Sequence, residues 1–162
     1  MSFSKTRVWA TAVIVVAALA LGASLFLLRG GSGQPGVSHD DPAAYTQALV
    51  GQAIERYERD GLAASIEYHN SPASVDGPWY VFIIDENGYA IAHHNPDLRN
   101  RDPALRIDAT GRFYGDDLRA ATEEGRWVDY VIVNPATGDN RQKHTWVVRH
   151  DGLLFGSGWY EE

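Results

Sequence analysis

Two histidines stand side by side, His93-His94, between an apolar stretch and an Asn-Pro step. A histidine pair suggests a metal or acid–base site. A shared metal needs both rings on one side, as at helical i, i+4 spacing or on alternate strand positions. Adjacent strand residues point to opposite faces. If Asn87-Gly88 is a regular two-residue type I′ hairpin turn, His93 stands across from Phe82 and His94 across from Val81, so the rings part company. At most one then faces a given ligand. A hydrogen-bonded structural histidine is the plain alternative for both.

Other side chains suit a small-molecule pocket. Lys143 lies in a strand otherwise built of Thr145, Trp146, Val147 and Val148. A lysine in a half-apolar groove anchors a carboxylate, because burial strengthens the pairing; in solvent at a strand end it does nothing. Tyr130 alternates with Val128 and Ile132, so its ring would pack while its hydroxyl orients a ligand, or it is simply a core tyrosine. Arg112 and Tyr114, in GRFYG, precede a short helix. A helix N-terminus can hold an anion, but Asp116 and Asp117 already complement that end. Arg112 therefore meets a ligand or pairs with one of those acids. Enzyme signatures are missing: the sequence has no G-x-S-x-G, H-E-x-x-H or phosphate-cradling loop.

The elements that would position these groups are legible. Asp40 or Asp41 before Pro42 caps a helix in which Tyr45, Leu49, Ala53 and Tyr57 recur every four residues. Asp60-Gly61 interrupts it, and Leu62–Tyr68 forms a second short helix. Strands are predicted over Trp79–Asp85 and Tyr89–His94, and both faces of this hairpin are apolar, so the sheet should be covered on both sides. Residues 95–111 are irregular. DDLRAATEEG reads as a helix ended by Gly125. Three strands follow, Trp127–Asn134, Arg141–His150 and Leu153–Trp159. The sum is an α+β domain with one five-stranded antiparallel sheet.

The chain has 162 residues and no cysteine, which removes disulfides, Cys-based metal sites and thiol nucleophiles. Val8–Leu28 is an uncharged run of 21 residues, long enough to span a bilayer as a helix. Lys5 and Arg7 before it place the N-terminus, residues 1–7, inside and the remainder outside the cytoplasm. A cleaved signal peptide, cut near Ala18–Ala20, is the competing reading. Residues 29–40 are a Gly/Ser/Pro-rich linker, and 41–162 form the folded domain. All 21 acidic residues and 11 of the 14 Lys and Arg lie beyond Arg29, a formal charge of −10 there (11 cations against 21 acids). Such a surface excludes nucleic-acid binding.

Taken in order, the D-x-x-G hairpin, A-H-x-N-P (Ala92–Pro96), the V-x-Y strand, the N-P-x-T-G turn, Lys143 in the next strand and the terminal G-S-G-W-Y resemble the single-Cache family of extracytoplasmic sensor domains. The resemblance covers nearly all of 41–162. It implies a PAS-like fold that binds a small metabolite, often a short carboxylate, between the sheet and the segment after the second strand. It implies no catalysis and no cofactor. Lys143 would hold the ligand carboxylate. Tyr130, Tyr114 and His93 would add hydrogen bonds, Arg112 is a further candidate, and Ile132 and Phe82 would exclude water. This sequence carries no output domain of the usual kind, so signalling is expected to pass through a separate partner protein, with a homodimer as an option. His94 stands where the family more often has proline. Two other readings remain open: a scaffold module with a degenerate pocket, and a metal or haem binder using His93, His94, His144 or His150.

Overall fold

Asp41 opens the first helix: its side chain accepts a hydrogen bond from the Ala44 amide at 3.0 Å, and Pro42 follows in the first turn. The computed structural model describes residues 36–162; the apolar run Val8–Leu28 and linker residues 29–35 lie outside them. Among the described residues no helix is long and apolar enough to cross a membrane. Helix α1 covers Pro42–His69 and breaks at Gly61, whose φ of 82° and ψ of 171° are not helical. The interruption read from Asp60-Gly61 is therefore present, within one long element. Tyr45, Val50 and Ala53 form its buried stripe.

The strands are β1 (Phe82–Ile84), β2 (Ala90–Ala92), β3 (Arg126–Val133), β4 (Asn140–His150) and β5 (Leu153–Tyr160), with the five-residue helix α2 (Gly115–Arg119) before β3. They make one antiparallel sheet in the order β2-β1-β5-β4-β3. Helix α2 is shorter than the expected ten residues and ends at Arg119, capped by Ala120, rather than at Gly125. The first two strands are also shorter than their apolar runs.

The hairpins differ from expectation in an instructive way. The type I′ turn lies at Asp151-Gly152, where both residues take positive φ (49° and 79°) and His150 pairs directly with Leu153. At Asn87-Gly88 only Gly88 does so (φ 91°). The loop there is three residues long, closed by Gly88 N–H to Asp85 O and Asp85 N–H to Tyr89 O, both 2.9 Å. Ile84 then pairs with Ala90 but Ile83 with Ala92, so Ile91 is a bulge. The bulge resets which side each residue faces. Ala90 packs in the cluster with Phe82 and Tyr130, whereas Ala92 packs with Val50 and Phe155.

Each sheet face has its own core. Val50, Ala53, Val81, Ile83, Ala92 and Phe155 join α1 to one face. Tyr80, Phe82, Ile84, Val128, Tyr130, Val147 and Leu154, with Leu118 from α2, line the other. The second face is covered by the irregular segment between β2 and α2, whose two 3₁₀ turns are Pro96–Leu98 and Pro103–Leu105.

Candidate ligand cavity

Strand pairing assembles the site. Lys143 pairs with Tyr130 of β3 on one side and Tyr160 of β5 on the other. Directly paired residues share a face, so one row across the sheet reads Tyr130, Lys143, Tyr160. Tyr80 and Phe82 continue that face, two residues apart. Gly156 pairs with Phe82, and a Cβ there would overlap the Phe82 ring. The absent side chain lets that ring lie over the strand.

Tyr130, Lys143, Tyr80 and Phe82 floor a cavity holding about 80 Å³ of space that a water-sized molecule can reach. A water needs roughly 10–15 Å³ by that measure, so there is room for several waters or a ligand of few heavy atoms. Lys143, Tyr130, Tyr80, Phe82 and His93 line the interior, Ile132 and Tyr114 the flank, and Leu98, Leu105 and Arg106 the covering segment.

Lys143 is the central group. Its side chain is 2% exposed, and Nζ donates to the Tyr80 hydroxyl at 2.6 Å. The Tyr160 ring lies 4.9 Å from Nζ. No carboxylate among the described residues pairs with it. Burial pushes the lysine's pKa down, an effect Tyr160 partly counters. Burial likewise raises the Tyr80, Tyr130 and Tyr114 hydroxyls and takes Tyr160 to about 12, so all four stay protonated at neutral pH. Thr145 donates to the Tyr130 hydroxyl at 3.0 Å. Tyr80 and Tyr130 thus accept from the protein, and each keeps its own hydrogen to donate. The Tyr114 ring stacks on Tyr130 with centroids 4.0 Å apart.

His93 is buried, and its pKa is lowered to about 3, first by burial and then by the charges of His94, Lys143 and Arg99. Nδ1 accepts the Asn95 amide at 3.0 Å. The neutral ring therefore carries its proton on Nε2 and can only donate there. Arg99 fixes this corner by donating to the carbonyls of His93 (2.6 Å) and Asn70 (2.8 Å).

The strand-parity expectation for His93 and His94 does not hold. Strand β2 ends at Ala92, before either residue. The two rings stack at 4.8 Å with 26° between their planes, and both lie against Tyr80. Stacked rings aim their nitrogens along separate planes rather than at one ion. His144 has its two nitrogens on Asp129 (2.8 Å) and Glu161 (2.9 Å), and His150 meets Glu58 at 3.2 Å. Among the described residues no group of three or more His, Asp or Glu is arranged to hold a metal.

Six of the seven residues singled out from sequence line the cavity: Lys143, Tyr130, His93, Tyr114, Ile132 and Phe82. Arg112 does not. Its exposed guanidinium pairs with Asp117 at 3.1 Å and donates to the Asp129 carbonyl at 2.6 Å. The helix-start acid captures it, the alternative its position allowed. Sequence reasoning missed Tyr80 and Arg106, both in the lining. Tyr80 was within reach, since it stands two residues before Phe82 in an extended run. Arg106 lies in an irregular segment with no periodicity to read.

Asp108 holds that segment in place. Its Oδ1 accepts from Thr110 N–H (2.9 Å), Thr110 Oγ1 (2.6 Å) and Arg112 N–H (3.0 Å), and Oδ2 from Val131 N–H (3.3 Å). These bonds, Thr110's first, lower its pKa to about 2. With Ala109 N–H on Val131 O at 2.8 Å, they tie the cover to the β3 edge.

No family model matches the chain, and no curated protein does. Solved structures do. A methyl-accepting chemotaxis protein from Vibrio parahaemolyticus superposes with a TM-score of 0.64 at 16% identity, over 75% of this chain and 90% of that one. A Cache chemosensory domain solved for its recognition of carboxylic acids gives 0.59 at 17%, over 78% and 100%. A periplasmic sensor domain of a chemotaxis protein gives 0.55 at 23%, over 72% and 88%. The fold is that of Cache/PAS-like sensor domains.

Proposed function

We propose that this chain is a sensory domain that binds a small carboxylate in the sheet cavity. In this reading the apolar N-terminal run anchors it in a membrane with residues 41–162 outside the cytoplasm, and the signal passes through a separate partner protein. The observation that carries it is Lys143: a fully buried cation, without a carboxylate partner among the described residues, at the floor of a cavity. Burying an ammonium without a counter-charge costs several kcal/mol. A ligand carboxylate offsets that cost, and the surrounding low dielectric makes the pairing strong.

The donor inventory supports the same ligand class. Lys143 Nζ, the Tyr80 hydroxyl and His93 Nε2 are all donors. Among the described residues no interior carboxylate could hold a ligand ammonium: the lining includes one carboxylate, Asp102, which is exposed and whose oxygen accepts from Ala104 N–H at 2.9 Å. Simple acids therefore fit better than amines or amino acids. The reading is one of binding without turnover. With its pKa near 3, His93 is a poor proton acceptor at neutral pH, and no carboxylate among the described residues stands beside Lys143 or Tyr80 to activate either.

A thermal-shift screen of the full chain in detergent, against short acids, amines, amino acids and purines, tests this. A ligand at 100 times its Kd adds about 2.7 kcal/mol, so short acids are expected to raise the midpoint and amines to leave it unmoved. A flat response to every acid would favour a scaffold module instead.

A further inference from the structure

The cavity carries a second cation. Arg106 follows the 3₁₀ turn Pro103–Leu105 and lines the same cavity as Lys143. Its backbone is held at both groups: the amide donates to Pro103 O (3.1 Å), and the carbonyl accepts from Tyr114 N–H (3.0 Å). The side chain thus leaves a fixed point on the cover. Its half-buried guanidinium has no carboxylate or hydrogen-bond partner among the described residues.

That sets it apart in an acidic chain. Arg56 and Arg59 meet Asp60, Arg112 meets Asp117, Arg119 meets Asp116, and Arg141 meets Asp139. Six described cations have no carboxylate partner: Arg99 and Arg149 donate to backbone carbonyls, Arg126 lies off the cavity, and Lys143, Arg106 and Arg101 all line it. These last three are graded by depth: Lys143 fully buried on the floor, Arg106 half-buried in the cover, Arg101 exposed at the rim. The walls they share are apolar, with Phe82, Ile84, Leu105 and Leu118.

Building on the carboxylate reading above, we propose that the ligand is a short dicarboxylate, with Lys143 holding the inner carboxylate and Arg106 the outer one. The arginine fork matches a carboxylate through two parallel N–H···O bonds. The apolar walls suit the methylenes between the two charges. Desolvation pulls the Arg106 pKa below its usual value, so an anion at the mouth offsets a cost on this side as well.

Calorimetric titration of the full chain in detergent tests the assignment with acids matched in carbon number: butyrate against succinate, and valerate against glutarate. The better-fitting diacid is expected to bind at least tenfold tighter than its mono-acid. Arg106→Gln should bring that ratio close to one, and Arg106→Lys should leave it intermediate, charge kept and fork lost. Equal affinities in the wild type, or a ratio unchanged in Arg106→Gln, overturns the proposal. If mono-acids bind through Lys143 but diacids gain nothing, the second-carboxylate assignment alone falls. If no acid binds, the carboxylate reading falls with it.

Discussion

The two faces of the sheet are built for different work. On the α1 face, Val50, Ala53, Val81, Ile83, Ala92 and Phe155 interlock as an apolar core. On the other face the same strands present Tyr80, Tyr130, Lys143 and Thr145, and the hydroxyls and ammonium bond one another around open space. Strand alternation puts Phe155 and Gly156, neighbours in sequence, on these opposite sides. One face supplies stability. The other spends some of it on a buried cation. The α1 face has its own polar exceptions, since His69, Ser65 and Ser157 have buried polar atoms without hydrogen-bond partners.

If this division is right, stability should be lost mainly from the α1 face. Phe155→Ala, at a fully buried site, is expected to cost about 3–5 kcal/mol in denaturant unfolding. Ile132→Ala, partly exposed on the cavity flank, should cost less than half as much. Equal losses would erase the distinction.

Acid should weaken both faces through buried histidines. His69, on α1, has its pKa lowered to about 4, mainly by burial and then by Arg56; His93, on the cavity side, is lowered to about 3. The unfolded chain binds protons near pH 6.5 while the folded chain does not. Stability from both is therefore full above about pH 6.5 and falls as pH drops toward 4 and 3. At pH 5 each costs about 2 kcal/mol. Chemical denaturation at pH 7 and pH 5 measures this, and His69→Phe should remove its share. An unchanged pH slope in that variant would contradict the assignment.

A smaller, local effect is expected on the cover. Asp108→Asn weakens four hydrogen bonds, three that shape residues 108–112 and one that ties them to Val131 of β3. Amide exchange at Thr110, Arg112 and Val131 should rise severalfold while Val50 and Ala53 stay protected. In the wild type the same loosening should occur as pH falls from about 4 toward 2, through the depressed Asp108 pKa. Exchange that rises equally in α1 would mean the cover is not a separate unit.

Much of this was legible in the sequence. The helix cap at Asp41, the break at Gly61, the five strands and the lysine among β-formers all follow from local rules. What escaped depends on tertiary detail. A three-residue loop at Glu86–Gly88 forced a bulge at Ile91, and no propensity announces that. Strand β2 stopped before His93, so alternation could not be carried onto the pair. Arg112 was claimed by Asp117, a competition that type and spacing leave undecided. Arg106 gained its place from hydrogen bonds to Pro103 and Tyr114, which only the folded cover creates.

The central claim is that Lys143 is kept buried for a ligand carboxylate rather than for the fold. Calorimetry and unfolding of Lys143→Met test both halves together, using butyrate or succinate, whichever binds the wild type more tightly. Replacing an unpaired buried charge with an apolar side chain often leaves a protein as stable or more so. The account predicts an unliganded stability equal to or above wild type, with the Kd raised at least a hundredfold. A wild-type Kd in this variant would contradict it.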